Sequence, residues 1–281
     1  MIVDSHNHLW HIGTSDLYWL SPDMRDAGGP IVRDFLVQDL KAAFATVGVH
    51  RSVLVHAWHA KEDNLQWLEV AEANEVIGAV VTWLDLTNPS VGETLDRFAR
   101  YSKFRGVRAC GQDEVDDSWL TRPAVRRGIR EVAKRGNLSL DLLVNIPQLK
   151  DVPRIAEENP DLPMVLNHLA KPQTSEPGYF EPWATLMRPL ADVSRLEFKI
   201  SGMLTEAGQH PTSELLRPAI QLMVETFGFD RLMWGSDWPV CLLAGSYKIN
   251  FDTTLGGFGR LSPSERRRLL GDNARKFYRI G

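Results

Sequence analysis

The segment Met1-Ile2-Val3-Asp4-Ser5-His6-Asn7-His8-Leu9-Trp10 carries a short apolar run directly into two histidines one residue apart. In an extended strand alternate side chains share a face, so His6 and His8 project together and can converge on one cation. Imidazole is a common ligand of zinc and its neighbours. The segment therefore reads as the first strand of a sheet that ends in half of a metal site. A His-x-His pair by itself suits a structural role equally well, and the rest of the chain must decide.

Seven further strand-like runs follow, at Ser52–His56, Ile77–Leu84, Gly106–Cys110, Leu138–Val144, Met164–His168, Glu197–Ser201 and Leu232–Ser236. Between them lie stretches with apolar residues three and four apart, the period of a helix with one buried face. Leu36, Leu40, Ala43, Phe44 and Val47 run up to Gly48; Val125, Ile129, Val132 and Ala133 to Gly136; Ala219, Met223 and Phe227 to Gly228. Each glycine suits the residue just past a helix, where a left-handed backbone is common. Ser262-Pro263-Ser264-Glu265 opens the last helix with a capping box and a proline at its first position.

Several strand runs are apolar on both faces, as in a parallel sheet covered by helices. Eight strand-helix repeats imply a single (β/α)8 TIM barrel over residues 1–281, with its chemistry at the C-terminal ends of the strands. A doubly wound open sheet is the competing architecture, and the absence of a glycine-rich phosphate loop after the first strand opposes it. The connection from Trp10 to Arg33, with His11, Tyr18, Trp19 and Arg25, exceeds an ordinary βα loop and is expected to cover the site.

Composition narrows the function classes. A chain of 281 residues, 43% of them hydrophobic, can bury a large core, and a net charge of −4 offers no general field for nucleic acid or an anionic membrane. The run Arg266-Arg267-Arg268 reads as a solvated helix face. Cys110 and Cys241 form no CxxC pair and read as reduced core thiols. No basic-then-apolar leader and no run near the roughly 20 apolar residues of a bilayer span is present, so the expected compartment is the cytoplasm. The expected partner is a small molecule, and homo-oligomerisation stays open.

Polar residues collect at the strand ends. His6, His8, His168 and Asp237 offer three nitrogens and one carboxylate oxygen, a set suited to one divalent ion with a position open to water. Asp237 is the expected general base and the metal the expected activator. The separate alternatives are a hydrogen-bonded core histidine at 168 and a turn-capping aspartate at 237. Arg108, His56 or Lys199 is expected to stabilise an oxyanion. His56, Trp58, His59, Trp19, Lys171 and Trp238 are expected around the substrate, with packing roles as the alternative for Trp58 and Trp19.

The chain resembles the amidohydrolase superfamily, and within it the sugar-lactonase-like branch that includes fuconolactonases. The resemblance rests on His6-Asn7-His8, Asn167-His168-Leu169-Ala170-Lys171-Pro172, Lys199-Ile200-Ser201-Gly202 and Gly235-Ser236-Asp237-Trp238-Pro239-Val240-Cys241. Thr82-Trp83-Leu84-Asp85-Leu86, Gly106-Val107-Arg108 and Asp272-Asn273-Ala274 extend it over nearly the whole chain. It implies a (β/α)8 barrel, hydrolysis of a lactone ring, and a mononuclear divalent-metal site, zinc foremost, that some relatives leave empty or do not require. Two positions depart from the branch: Asn167 stands where aspartate is commoner, and Ala170 where glycine is commoner. A binuclear site lacks its ligands, since strand 4 offers Arg108 instead of a bridging group and strand 5 runs Leu140-Asp141-Leu142-Leu143-Val144. Asp141 there is expected to be a hydrogen-bonded barrel residue. Related barrels also hydrolyse aromatic or pyrone-type lactones or decarboxylate aromatic acids with a metal. Those substrates call for more arginines than Arg108 alone. A metal-dependent nuclease is opposed by the charge balance, and a noncatalytic sugar-acid-binding barrel is the alternative outside enzymes.

Overall fold

The computed structural model describes residues 1–15, 17, 19–57, 63–208 and 211–281. Tyr18, Trp58 and His59 lie outside these, and nothing is described of the Arg25 side chain. Eight strands run in chain order around one sheet: β1 Val3–Asn7, β2 Arg51–Val55, β3 Ile77–Trp83, β4 Phe104–Cys110, β5 Ser139–Leu143, β6 Met164–Leu166, β7 Leu196–Ile200 and β8 Leu232–Trp234. Every adjacent pair is parallel. β8 returns beside β1, where Asn7 and Trp238 form a parallel bridge. The chain is a (β/α)8 barrel.

Each strand is followed by helix because the intervening segments carry one apolar face. In Pro123–Ala133, Val125, Ile129 and Val132 are buried and the helix stops before Gly136 at φ +64°. Ser262 accepts from the Glu265 amide while the Glu265 carboxylate accepts from the Ser262 amide, completing the expected capping box. Among the described residues no helix is long and apolar enough to cross a membrane.

Two apolar layers result. One lies between sheet and helices, the other inside the barrel, where Val3, Val53, Val55, Ala79, Val81, Val165 and Met233 meet Ala274, Phe277, Tyr278 and Ile280 of the C-terminal segment. In β1 the pairing with β2 shifts between Asp4 and Asn7, so one strand gains a residue on the other. The irregularity breaks strict alternation. Val3 and His6, an odd number of residues apart, both face the interior: Val3 in the apolar cluster and His6 against Lys199.

β6 and β8 are shorter than the sequence suggests. His168, Leu169, Ala170 and Lys171 follow one another at φ between 51° and 59°, a left-handed turn that ends pairing after Leu166. Such backbone costs an L-residue roughly 1–2 kcal/mol each. At position 170 a glycine would adopt it freely, which gives the alanine there its physical meaning. Asp237, three residues past the end of β8, is also left-handed, at φ 57°.

Candidate active site

The barrel seam builds the site. The His8 amide donates to the Trp238 carbonyl at 2.7 Å and the Asp237 amide to the His6 carbonyl at 2.8 Å. Beneath them Asp4 accepts from the Ser236 amide at 2.8 Å, the Ser236 hydroxyl at 2.6 Å, the Tyr247 hydroxyl at 3.0 Å and the His6 amide at 3.1 Å. These bonds fix the turn that carries Asp237. Burial pushes the Asp4 carboxyl up to about 6, although the Ser236 hydroxyl, the Ser236 and His6 amides and Tyr247 all oppose the rise. Gly235 lets β8 lie against β1, since a Cβ there would sit 2.7 Å from that of His6.

Three imidazoles converge on one oxygen. Nε2 of His8, His6 and His168 lies 3.1, 3.7 and 3.8 Å from Asp237 Oδ1. His6, His8 and Asp237 offer ligand atoms all within 4.8 Å of one another, a cluster able to hold a metal ion. His8 Nδ1 lies 2.6 Å from the Val55 carbonyl, which only accepts, so Nδ1 carries the proton. Nε2 lies 3.1 Å from a carboxylate oxygen, where a neutral ring would oppose lone pair to lone pair, a conflict that a proton or a metal ion between them removes. His6 Nε2 is buried and makes no hydrogen bond among the described residues. Both observations fit a divalent ion. Lys199 Nζ lies 3.3 Å from His6 Nδ1, a long contact beside its 2.7 Å ion pair with Asp141. A metal on His6 Nε2 requires that contact to yield.

The electrostatics favour an ionised carboxylate beside neutral His6 and His168 rings. Burial raises the Asp237 carboxyl, but His168, the His8 hydrogen bond and Arg108 outweigh it and hold the group below the usual carboxylate range. Burial lowers His168 to about 3 against the opposing pull of Asp237. Ser201 Oγ supports His168, 2.9 Å from Nδ1. The buried Asn167 side chain makes no hydrogen bond among the described residues, so support for His168 comes from Ser201, just past β7. Gly202, at φ +65°, follows; a Cβ there would stand 2.7 Å from His168 Nδ1. Gly202→Ala is expected to cost about 1–3 kcal/mol through backbone strain and displacement of His168. Thermal denaturation checks this, and an unchanged melting temperature refutes it.

A cavity of about 230 Å³ opens above the cluster, lined by His8, His168 and Asp237 together with Trp19, Arg108 and Lys171. Trp19 comes from the long connection after β1, as expected for a segment over the site, and its indole donates to the Ala57 carbonyl at 3.1 Å. Arg108 donates from Nη1 to the His56 carbonyl at 2.5 Å, while its buried Nε has no partner among the described residues.

Three expected substrate contacts sit elsewhere. Lys199 is fully buried below the rim, its ammonium held by Asp141, which also accepts from the Tyr278 hydroxyl at 2.7 Å. It is therefore corrected from a rim cation to a buried charge pair, with Asp141 the hydrogen-bonded barrel residue. Trp238 packs edge-on against Phe35 at 5.1 Å and is buried away from the cavity wall. His56 is also buried, with Nδ1 3.3 Å from the Trp83 amide, and is not part of that wall. Trp58 and His59 lie outside the described residues. The sequence reading missed Met24, Gln112, Thr205 and Glu206, which also line the cavity. Only the Ser201-Gly202 turn, which carries a short helix over the rim, signals the last two.

The amidohydrolase family model matches residues 3–280, and the chain belongs to that family. It is 36% identical to an L-fucono-1,5-lactonase of Burkholderia ambifaria over 99% of this chain and 95% of that protein. An L-fucono-1,5-lactonase of Burkholderia multivorans is 31% identical over 99% of this chain and 96% of its own length. The crystal structure of an amidohydrolase from Burkholderia multivorans with bound zinc superposes at a TM-score of 0.91 and 30% identity, covering 100% of both chains.

Proposed function

We propose that the chain hydrolyses a sugar lactone, an L-fuconolactone-like aldonolactone, to its sugar acid. The observation that carries this is a carboxylate held below its usual titration range, ringed by three imidazoles at the floor of a cavity with Arg108 on its wall. Full-length likeness to two lactonases supports it.

Asp237 is the base. It takes a proton from water as the oxygen attacks the ring carbonyl, and returns it to the ring oxygen as the acyl C–O bond breaks. Arg108 is the group best placed to stabilise the developing oxyanion, because its buried Nε is unspent within the protein. The buried ion pair of Lys199 removes it from that role, and His56 acts through its carbonyl by orienting Arg108. His6, His8, His168 and Asp237 would hold a divalent metal, zinc first among candidates, which when bound polarises the carbonyl and acidifies water.

The test is proton release from a panel of sugar 1,4- and 1,5-lactones, with spontaneous hydrolysis subtracted. Selective turnover of one stereochemical series is expected, and no turnover across the panel refutes the reading. The same assay gives a pH profile. Asp237 titrates below the ordinary carboxylate range, so kcat/KM is expected to be flat from roughly pH 5 to 7 and to fall only on further acidification. An acid limb near neutrality that persists in the metal-free enzyme and in Asp4→Asn would remove Asp237 from the role of base.

A further inference from the structure

Lys171 ends the left-handed turn after β6, and Glu206 ends the short helix Met203–Glu206 after Gly202. Both line the cavity, and both are partly buried. Neither charged head group makes a hydrogen bond or ion pair among the described residues. Their fields nevertheless meet in the cavity: burial raises the Glu206 carboxyl, Lys171 opposes the rise, and Asp237 adds to it. Charged groups drawn partly out of water, with no protein partner, are returned their lost hydrogen bonds by a polar ligand. With Arg108 and Asp237 the wall carries two cations and two carboxylates, so it offers both donors and acceptors. A ring bearing several hydroxyls matches that wall. A ring bearing its own carboxylate meets Glu206 as a like charge.

We propose that Glu206 and Lys171 read the hydroxyl groups of the substrate ring, Glu206 as acceptor and Lys171 as donor, and that Glu206 excludes rings carrying a carboxylate. The substrate class is thereby a neutral polyhydroxylated lactone. The inference rests on the lactonase reading and adds to it the residues that choose among lactones.

Glu206→Gln keeps the shape and removes the charge. Its kcat/KM is compared with that of the wild type on a neutral aldonolactone and on the aldarolactone with a carboxylate in place of the terminal carbon substituent. The neutral substrate is expected to lose about tenfold, through KM, while the carboxylated one gains about tenfold. Lys171→Met is expected to weaken the neutral substrate by a similar factor, again through KM. Glu206→Asp, which restores the charge, should restore the exclusion. An unchanged ratio of the two substrates in Glu206→Gln overturns the proposal, as does a loss confined to kcat. Calorimetric binding of the matching neutral and carboxylated lactams reads the same preference without turnover. A wild type that hydrolyses neither lactone sinks the lactonase reading alone. The lactam affinities then decide this one, a ratio moved by Glu206→Gln supporting it and an unmoved ratio overturning it.

Discussion

Asp237→Asn is expected to lower kcat for the lactone by roughly 10³-fold with the fold intact, within the range that a positioned general base contributes. The exchange is nearly isosteric. Asparagine tolerates the left-handed backbone that Asp237 adopts at φ 57°, and the amide that donates to the His6 carbonyl is untouched. What is lost is the negative oxygen on which the three Nε2 atoms converge. Because a base acts in the transition state, kcat and kcat/KM should fall together while KM stays within a few fold. Steady-state kinetics beside a melting curve separates the outcomes. A variant that keeps its melting temperature and its activity would assign the proton to another group.

The largest expected loss of stability comes from Asp141→Leu. Asp141 accepts from Lys199 Nζ at 2.7 Å and from the Tyr278 hydroxyl at 2.7 Å, and all three residues are fully buried. Burial depresses the Lys199 ammonium, with Asp141 the main opposing influence. Removing the carboxylate leaves a cation and a hydroxyl in the barrel interior without their acceptor, which costs about 3–5 kcal/mol. Adding Lys199→Met removes the stranded charge and is expected to return most of that loss, since a buried pair is often no better than well-packed apolar side chains. Chemical denaturation of the two single variants and the double variant closes the cycle. Strictly additive losses would show that the pair is not coupled.

The fold was legible because each strand carries apolar residues toward both layers and each intervening segment carries one apolar face. Val80 packs toward the helices while Ala79 and Val81 fill the interior, and that double demand produced the runs read as strands. The ligand cluster was legible because strand ends are local features: His6 and His8 close β1, His168 follows β6, and Asp237 follows β8. Depth was not legible. Alternation places Lys199 inside the barrel but does not tell rim from interior, and its depth depends on Asp141 from β5 and Tyr278 from the C-terminal helix, 58 and 79 positions away in the chain. The left-handed turn through His168–Lys171 was equally hidden, because none of its four residues is glycine. Glu206 escaped notice for a related reason. Its place on the wall depends on how Gly202 redirects the chain, a matter of backbone geometry more than residue type.

A ring of strands must be fastened somewhere, and here a bridge between Asn7 and Trp238, main-chain bonds from His8 and Asp237, and the Asp4 carboxylate on Ser236 close it. Two of the residues that hold the hoop together, His8 and Asp237, also line the cavity, so clasp and tool share a piece. Any replacement at His6, His8 or Asp237 is judged twice, once by the reaction and once by whether the hoop stays shut. Conversely, whatever draws these three side chains together from above also tightens the join, and the native protein should breathe least at this seam when its site is filled.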